Sequence, residues 1–319
     1  MGASGGNRAI VAALLANLGI AVTKLIAWMF SGSAAMLAEA VHSIADSGNQ
    51  LLLMIGGRRA RRAADRAHPF GYGRERFVYA FVVSIILFSI GGVFSIAEGI
   101  AKLRDPHHLD LWWLPMVVLT VAIVLESFSL RTAIRESNRV RGSQGWLEFI
   151  RRAKAPELPV VLLEDVAALL GLVFAFGGVG LTALTGSGFW DASATLAIGI
   201  LLVVVAVVLG VETKSLLVGE GAHDTDVATI EAAIMQGGEV DRIIHMKTLY
   251  LGPEELLVAA KLGFSPESSL PELQRGINAI ESRVRAAVPV ARLIYLEPDV
   301  YVEPSPAPST DAVVIRSAD

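Results

Sequence analysis

His42 and Asp46 stand one helical turn apart inside a long apolar stretch. A charged group at such a place costs at least ~2.5–3.5 kcal/mol on insertion scales, so it is read first as functional. Taking His42 as zero and about 100° per residue, Asp46 falls near 40°, Glu39 near 60°, Asn49 near −20° and Gln50 near 80°. These five side chains share one face of one helix. An imidazole nitrogen and a carboxylate on the same side can bind a single cation, and together they are half of a tetrahedral site of the kind zinc prefers. The plainer alternative is that His42 and Asp46 pair only with each other or with a neighbouring helix.

Glu164 and Asp165 lie in a later apolar stretch. Adjacent helical residues point about 100° apart, so one can face the same point as His42 while the other lies beside it or bonds elsewhere. Glu126 is more than halfway through another apolar stretch, either as a third carboxylate or as a structural partner. Asn17 and Lys24 occupy the first stretch, and Lys24 lies in its outer half, where the expectation is that it snorkels. His107 and His108 beside Asp105 and Asp110 read as solvated loop residues or as an entry-side cation trap. His223 and Asp224 read as a solvated turn.

The elements that must carry these residues follow from composition. The chain has 319 residues, 53% of them apolar, with mean hydropathy +0.56. A soluble domain holds roughly 45–50% apolar residues. Six spans are expected, over residues 9–30, 34–56, 77–100, 111–134, 158–184 and 192–211. Residues 1–8 are short and Gly/Ser-rich and are not read as a signal peptide. There is no cysteine, which excludes disulfides and thiolate metal sites and leaves His, Asp, Glu or Asn as ligands.

Arginine is crowded after span 2 (Arg58, Arg59, Arg61, Arg62, Arg66, Arg74, Arg76) and between spans 4 and 5 (Arg131, Arg135, Arg139, Arg141, Arg151, Arg152). The opposite side offers only Lys102 and Arg104. Positive loops stay inside, so both termini are expected in the cytoplasm. Trp146, Leu147, Phe149 and Ile150 beside Arg151 and Arg152 suit a short interfacial helix. Beyond residue 211 the pattern becomes that of a soluble domain, with helix, two strands, helix and a final strand over 226–236, 241–249, 255–264, 271–287 and 291–296. The expected fold is an all-α six-helix transmembrane domain over 1–212, a small cytoplasmic α+β domain (αββαβ) over 213–303, and a disordered Pro/Ser/Ala tail over 304–319.

Several segments together resemble the cation diffusion facilitator family. They are the run Ser31-Gly32-Ser33-Ala34 through Glu39-Ala40-Val41-His42-Ser43-Ile44-Ala45-Asp46, the segment His68-Pro69-Phe70-Gly71-Tyr72-Gly73-Arg74, and the αββαβ order. Leu162-Leu163-Glu164-Asp165-Val166-Ala167-Ala168 looks most like the branch containing zinc transporter nine. The resemblance implies a homodimeric metal/proton antiporter in a bacterial inner membrane, with a metallochaperone-like cytoplasmic domain. Its partners would be the lipid bilayer, protons and a divalent cation exported from the cytoplasm, with no nucleic acid and no cofactor besides the transported ion. Zinc is the first choice, with Mn²⁺, Co²⁺ or Fe²⁺ as alternatives. An intramembrane metalloenzyme and a membrane-anchored sensor are the rival classes, and the single His within the spans argues against the enzyme.

The metal residues implied are His42, Asp46, Asp165 and Glu164, followed by Asn49, Glu126 and Glu39. Typical members use two ligands from span 2 and two from span 5, often a second HxxxD. Here, if Asp165 takes the Asp position, the His position is Val161; if Glu164 takes the first position, the second is Ala168. The first alignment is preferred. Either way a His is missing and the site is richer in oxygen, which suits Mn²⁺ or Mg²⁺ better than two His would. In the soluble domain, His245 matches a metal position of some members, but Tyr295 replaces an expected His and the acidic position is Glu297. A binuclear zinc site is not expected there, and dimerisation is its expected role. Val161→His is expected to shift preference from Mn²⁺ toward zinc, read as the ratio of the two ions bound; an unchanged ratio would set this alignment aside.

Overall fold

The computed structural model describes residues 3–106, 109 and 111–301, with side chains from residue 17 onward. His107, His108, Asp110 and the 304–319 tail lie outside the described residues. The long helices are α1 (Ala3–Ser31), α2 (Ala34–Arg59), α3 (Glu75–Ile86) continued through a π-helical stretch Leu87–Val93 into α4 (Phe94–Arg104), α5 (Trp113–Arg141), α7 (Glu157–Thr185) and α8 (Phe189–Val218), with the short α6 (Trp146–Arg152) before α7. Among the described residues, four helices are long and apolar enough to cross a membrane: Glu75–Arg104, Trp113–Arg141, Glu157–Thr185 and Phe189–Val218. The polar face of α2 keeps it outside that set, and α1 is weighed only over Asn17–Ser31.

The α1–α2 corner is built by two consecutive residues. Gly32, at φ +67°, takes the left-handed conformation after α1, which costs glycine nothing. Ser33 then caps α2, its side chain accepting from the Met36 amide. Helix α8 runs to Val218, past the expected boundary at 212. The loss of apolar character after residue 211 does not end the helix, because Thr213 and Leu216 are still buried.

In the bundle, α7 packs on α8 and α5, α1 on α2, and α4 on α8. Small residues set the closeness of these contacts. A Cβ on Gly99 of α4 would lie 2.8 Å from the Leu196 backbone nitrogen of α8. Small residues let helix backbones approach where water supplies no drive for association. Of the four long apolar helices α5 is the least enclosed, and Val117, Val121 and Phe128 on it are exposed.

Between α2 and α3 the quoted His68–Arg74 motif folds around Asp65. The Asp65 carboxylate accepts from the Tyr72 hydroxyl at 2.7 Å and from the Ala67 and His68 amides at 2.9 and 2.8 Å. The Tyr72 hydrogen bond, helped by these amides, holds the carboxyl below its ordinary pKa. Arg62 lies 4.6 Å from the centre of the Tyr72 ring.

The chain divides into two compact units, Met1–Glu220 with Leu251–Pro253 and Gly221–Tyr250 with Glu254–Asp319. The second unit holds α9 (Asp224–Met235), β1 (Arg242–Gly252), β2 (Glu255–Gly263), α10 (Leu270–Ala287) and β3 (Ala291–Asp299). Its sheet has the order β1-β2-β3, with β2 and β3 parallel. A parallel pair needs a long crossover, and α10 supplies it, opened by a Ser269/Glu272 capping box. Ile230, Ile234, Leu256, Val258, Ile280 and Val284 form the core of this unit. Arg283 ties α10 to Glu239 through two hydrogen bonds of 2.9 and 2.8 Å.

The close α4–α8 contact generates a stability expectation. Gly99→Ala should cost about 1–3 kcal/mol through forced separation of the backbones, measured by thermal unfolding in detergent. Gly180→Ala, whose Cβ would come no nearer than 3.7 Å to the flexible end of Met116, should be tolerated; equal effects would show that the α4–α8 approach is not limiting.

Candidate functional site

The candidate metal centre begins with how α2 is held. Ser33 Oγ donates to Asp191 Oδ1 at 2.5 Å, and the Ala34 amide donates to Asp191 Oδ2 at 2.6 Å. A carboxylate at a helix N-terminus satisfies free amides and opposes the positive end of the dipole. Asp191 is itself held, its amide donating to Thr182 Oγ1 at 3.0 Å. The end of α7 and the start of α8 therefore fix where α2 begins.

Two turns further on, His42 is buried and its Nε2 lies 3.3 Å from Asp46 Oδ2. Both ring nitrogens lack a hydrogen-bond partner. The face laid out by helical spacing is present, and its members take different partners. Asn49 Nδ2 donates to Glu164 Oε1 on α7 at 2.8 Å. Gln50 Oε1 accepts from Asn17 Nδ2 on α1 at 3.1 Å. Ser129 Oγ on α5 donates to Asp165 Oδ2 at 3.0 Å. The two neighbouring carboxylates of α7 thus reach opposite ways, Glu164 toward α2 and Asp165 toward α5.

Between these helices lies a cavity of about 310 Å³, lined by Asn17, Ile20, Ser43, Asp46, Gln50, Leu125, Glu126, Ser129, Val161, Glu164 and Asp165. Asp46, Glu126, Glu164 and Asp165 share its wall, and Val161 stands where a nitrogen ligand was expected. His42 is not part of this wall; it lies 3.3 Å from Asp46, which is. Among the described residues, no three His, Asp or Glu groups already stand close enough together to hold a metal ion. The four carboxylates line one space, in which Asn49 holds Glu164 and Ser129 holds Asp165.

One expectation needs correction. Lys24 does not snorkel: it is 1% exposed, and its Nζ donates to Glu39 Oε2 at 2.9 Å and to Ser43 Oγ at 2.8 Å. A carboxylate inside the bundle offers the ammonium what it would otherwise find at the surface. Glu39, on the expected ligand face, is therefore ion-paired and does not line the cavity. Ser129 and Asp191 were missed. Ser129 follows Glu126 by three residues, one face of α5; Asp191 is an acid just outside an apolar run, facing a serine cap that spacing cannot pair with it.

The remaining candidates belong to the second unit. His223 and Asp224 open α9. His245, Tyr295 and Glu297 line a hollow of about 390 Å³ in that unit with Lys247 and Lys261. There Lys261 Nζ is 3.2 Å from Glu297 and 2.8 Å from Asp299, so the acidic position already has a cationic partner.

The Asn49–Glu164 bond is buried at both ends. Asn49→Ala would leave Glu164 Oε1 without its donor, so a stability loss of about 1–3 kcal/mol is expected in detergent unfolding; no loss would show that Asn49 does not hold Glu164.

The family model described as the cation efflux transmembrane domain matches residues 10–218. The chain is 32% identical over 244 residues to the proton-coupled zinc antiporter SLC30A9, mitochondrial, of Xenopus laevis, covering 76% of this chain and 44% of that protein. It is 30% identical over 263 residues to metal tolerance protein C4 of Arabidopsis thaliana, covering 81% and 57%. A third relative, the cation-efflux pump FieF of Pectobacterium atrosepticum, is 24% identical over 302 residues, 93% of each chain. The chain spans about half the length of the first two. With its apolar helices and a family match over most of its length, this is a multi-pass membrane protein, and it belongs to the cation efflux family, in the zinc transporter nine branch, a family of transporters and not of enzymes.

Proposed function

We propose that the chain exports a divalent cation, zinc first, from the cytoplasm in exchange for protons. The observation that carries this reading is the cavity whose wall holds Asp46, Glu126, Glu164 and Asp165, with His42 behind Asp46. Intramembrane carboxylates facing a shared cavity mark ion pathways. His42, Asp46 and Asp165 are the ligands in this reading. Glu164 is a fourth ligand or an acceptor beside it, oriented by Asn49, and Glu126 is a further carboxylate on the path. A bound cation would draw the α2 pair and the α7 pair together across the cavity, and their release would let the helices part again.

The same atoms explain exchange. Metal binds neutral imidazole and ionised carboxylate, so protons and metal compete for them. Protons arriving from the acidic side displace the ion, and the emptied site sheds them at the higher cytoplasmic pH. The zinc antiporter relative supports this reading by its name. Six spans, cytoplasmic termini, a bacterial inner membrane, a homodimer and the division at 1–212 and 213–303 belong to the same proposal. A second reading, Mn²⁺ export by the same route, is favoured by Val161, which gives the cavity wall no nitrogen ligand.

Uptake of radioactive zinc and manganese into inverted vesicles, with and without a proton gradient, tests both readings. Asp46→Ala or Asp165→Ala is expected to reduce uptake to background in protein that still inserts and folds. Wild-type uptake by Asp165→Ala would move the α7 ligand to Glu164. An active His42→Asn protein that keeps its proton coupling would show that the protons travel on the carboxylates alone.

A further inference from the structure

We infer that Lys24 is a tethered cation that holds Glu39 out of the set of groups open to a transported ion, and so sets the metal preference of the site. The inference rests on the proposed function.

Glu39 is fully buried and lies on the same face of α2 as Asp46. One of its oxygens is bonded to Lys24 Nζ. The other, Oε1, has no hydrogen-bond partner. It rests against α7 at Gly171, where a Cβ would lie 2.6 Å from it. The absence of a side chain at position 171 is what gives this carboxylate room. Glu39 is thus a hard oxygen donor with an unused lone pair, one turn from His42.

Lys24 restrains it from the third side. Nζ is bonded also to Ser43 Oγ, and Ser43 lines the cavity. The ammonium therefore stands one hydrogen bond behind the cavity wall, at Ser43. While the pair is intact, Lys24 and Glu39 cancel and add no net charge to the site. Without Lys24, Glu39 is an uncompensated carboxylate beside a cavity that already favours cations. An added hard oxygen ligand favours Mn²⁺ over zinc. A neutral pair of similar volume would remove both charges and leave the balance as it was. Buried ion pairs commonly tolerate such replacement.

The test is equilibrium binding of ⁶⁵Zn and ⁵⁴Mn to the purified full chain in detergent, for wild type, Lys24→Met, Lys24→Met/Glu39→Met and Asp46→Ala. Lys24→Met is expected to raise the Mn:Zn affinity ratio by about tenfold. The double variant is expected to bind both ions with the wild-type ratio. A folded Lys24→Met protein with an unchanged ratio overturns the proposal. So does a double variant that keeps the altered ratio, or that loses zinc binding, since Glu39 would then be a ligand itself. Failure of the double variant to fold also overturns it, because the pair would then be architectural. Where Lys24→Met alone does not fold, the double variant decides. Wild-type zinc binding by Asp46→Ala would instead overturn the ligand set, separately from the role of Lys24.

Discussion

Charged groups set inside apolar helices lose the water that would stabilise them, and each must be compensated by something else in the bundle. Much of the first unit can be understood as the set of answers to that demand. Lys24 answers Glu39, Asn49 answers Glu164, and Ser129 answers Asp165. Ser33 and the Ala34 amide answer Asp191. Each answer comes from a different helix than the group it satisfies, so the polar contacts also fix which helices are neighbours. A buried ion pair adds little net stability against an apolar pair of the same shape. Its persistence here fits a demand of function more than one of folding.

Helix α2 is the element on which these demands converge. Its first residues are clamped by Asp191, Glu39, Ser43 and Gln50 tie it to α1, and Asn49 ties it to α7. It is rich in alanine on its buried positions, which permits close neighbours on several sides at once. The cost is hydropathy: a helix with this many polar side chains does not look like a membrane span by composition. The packing of α1, α7 and the π-helical stretch around it accounts for how it is accommodated.

The cavity wall shows how little of a site is fixed by residue type alone. Four carboxylates from three helices line one space, and the two on α7 are bonded to neutral partners on different helices, Glu164 to Asn49 and Asp165 to Ser129. Val161 occupies a place on that wall where nitrogen would bias the site toward zinc. The oxygen-rich wall, and not the total charge of the chain, is the feature that bears on which ion is preferred.

The amino-acid sequence by itself determined the long helical segments, the shared face of His42, Asp46 and Asn49, the helix–strand–strand–helix–strand order of the second unit, and the family. Those are properties of periodicity and local spacing, which a helix or strand converts directly into a face. It also narrowed the α7 candidates to Glu164 and Asp165 without deciding between them, because adjacent residues on a helix point apart whatever surrounds them. Only the tertiary structure decided that Glu164 turns to α2 and Asp165 to α5, that Lys24 is buried against Glu39, and that Asp191 clamps a serine 158 positions away. Local spacing cannot carry such information. The partner of a buried charge is chosen by which helices pack together, and that choice is made by shape, small residues and desolvation across the whole bundle at once.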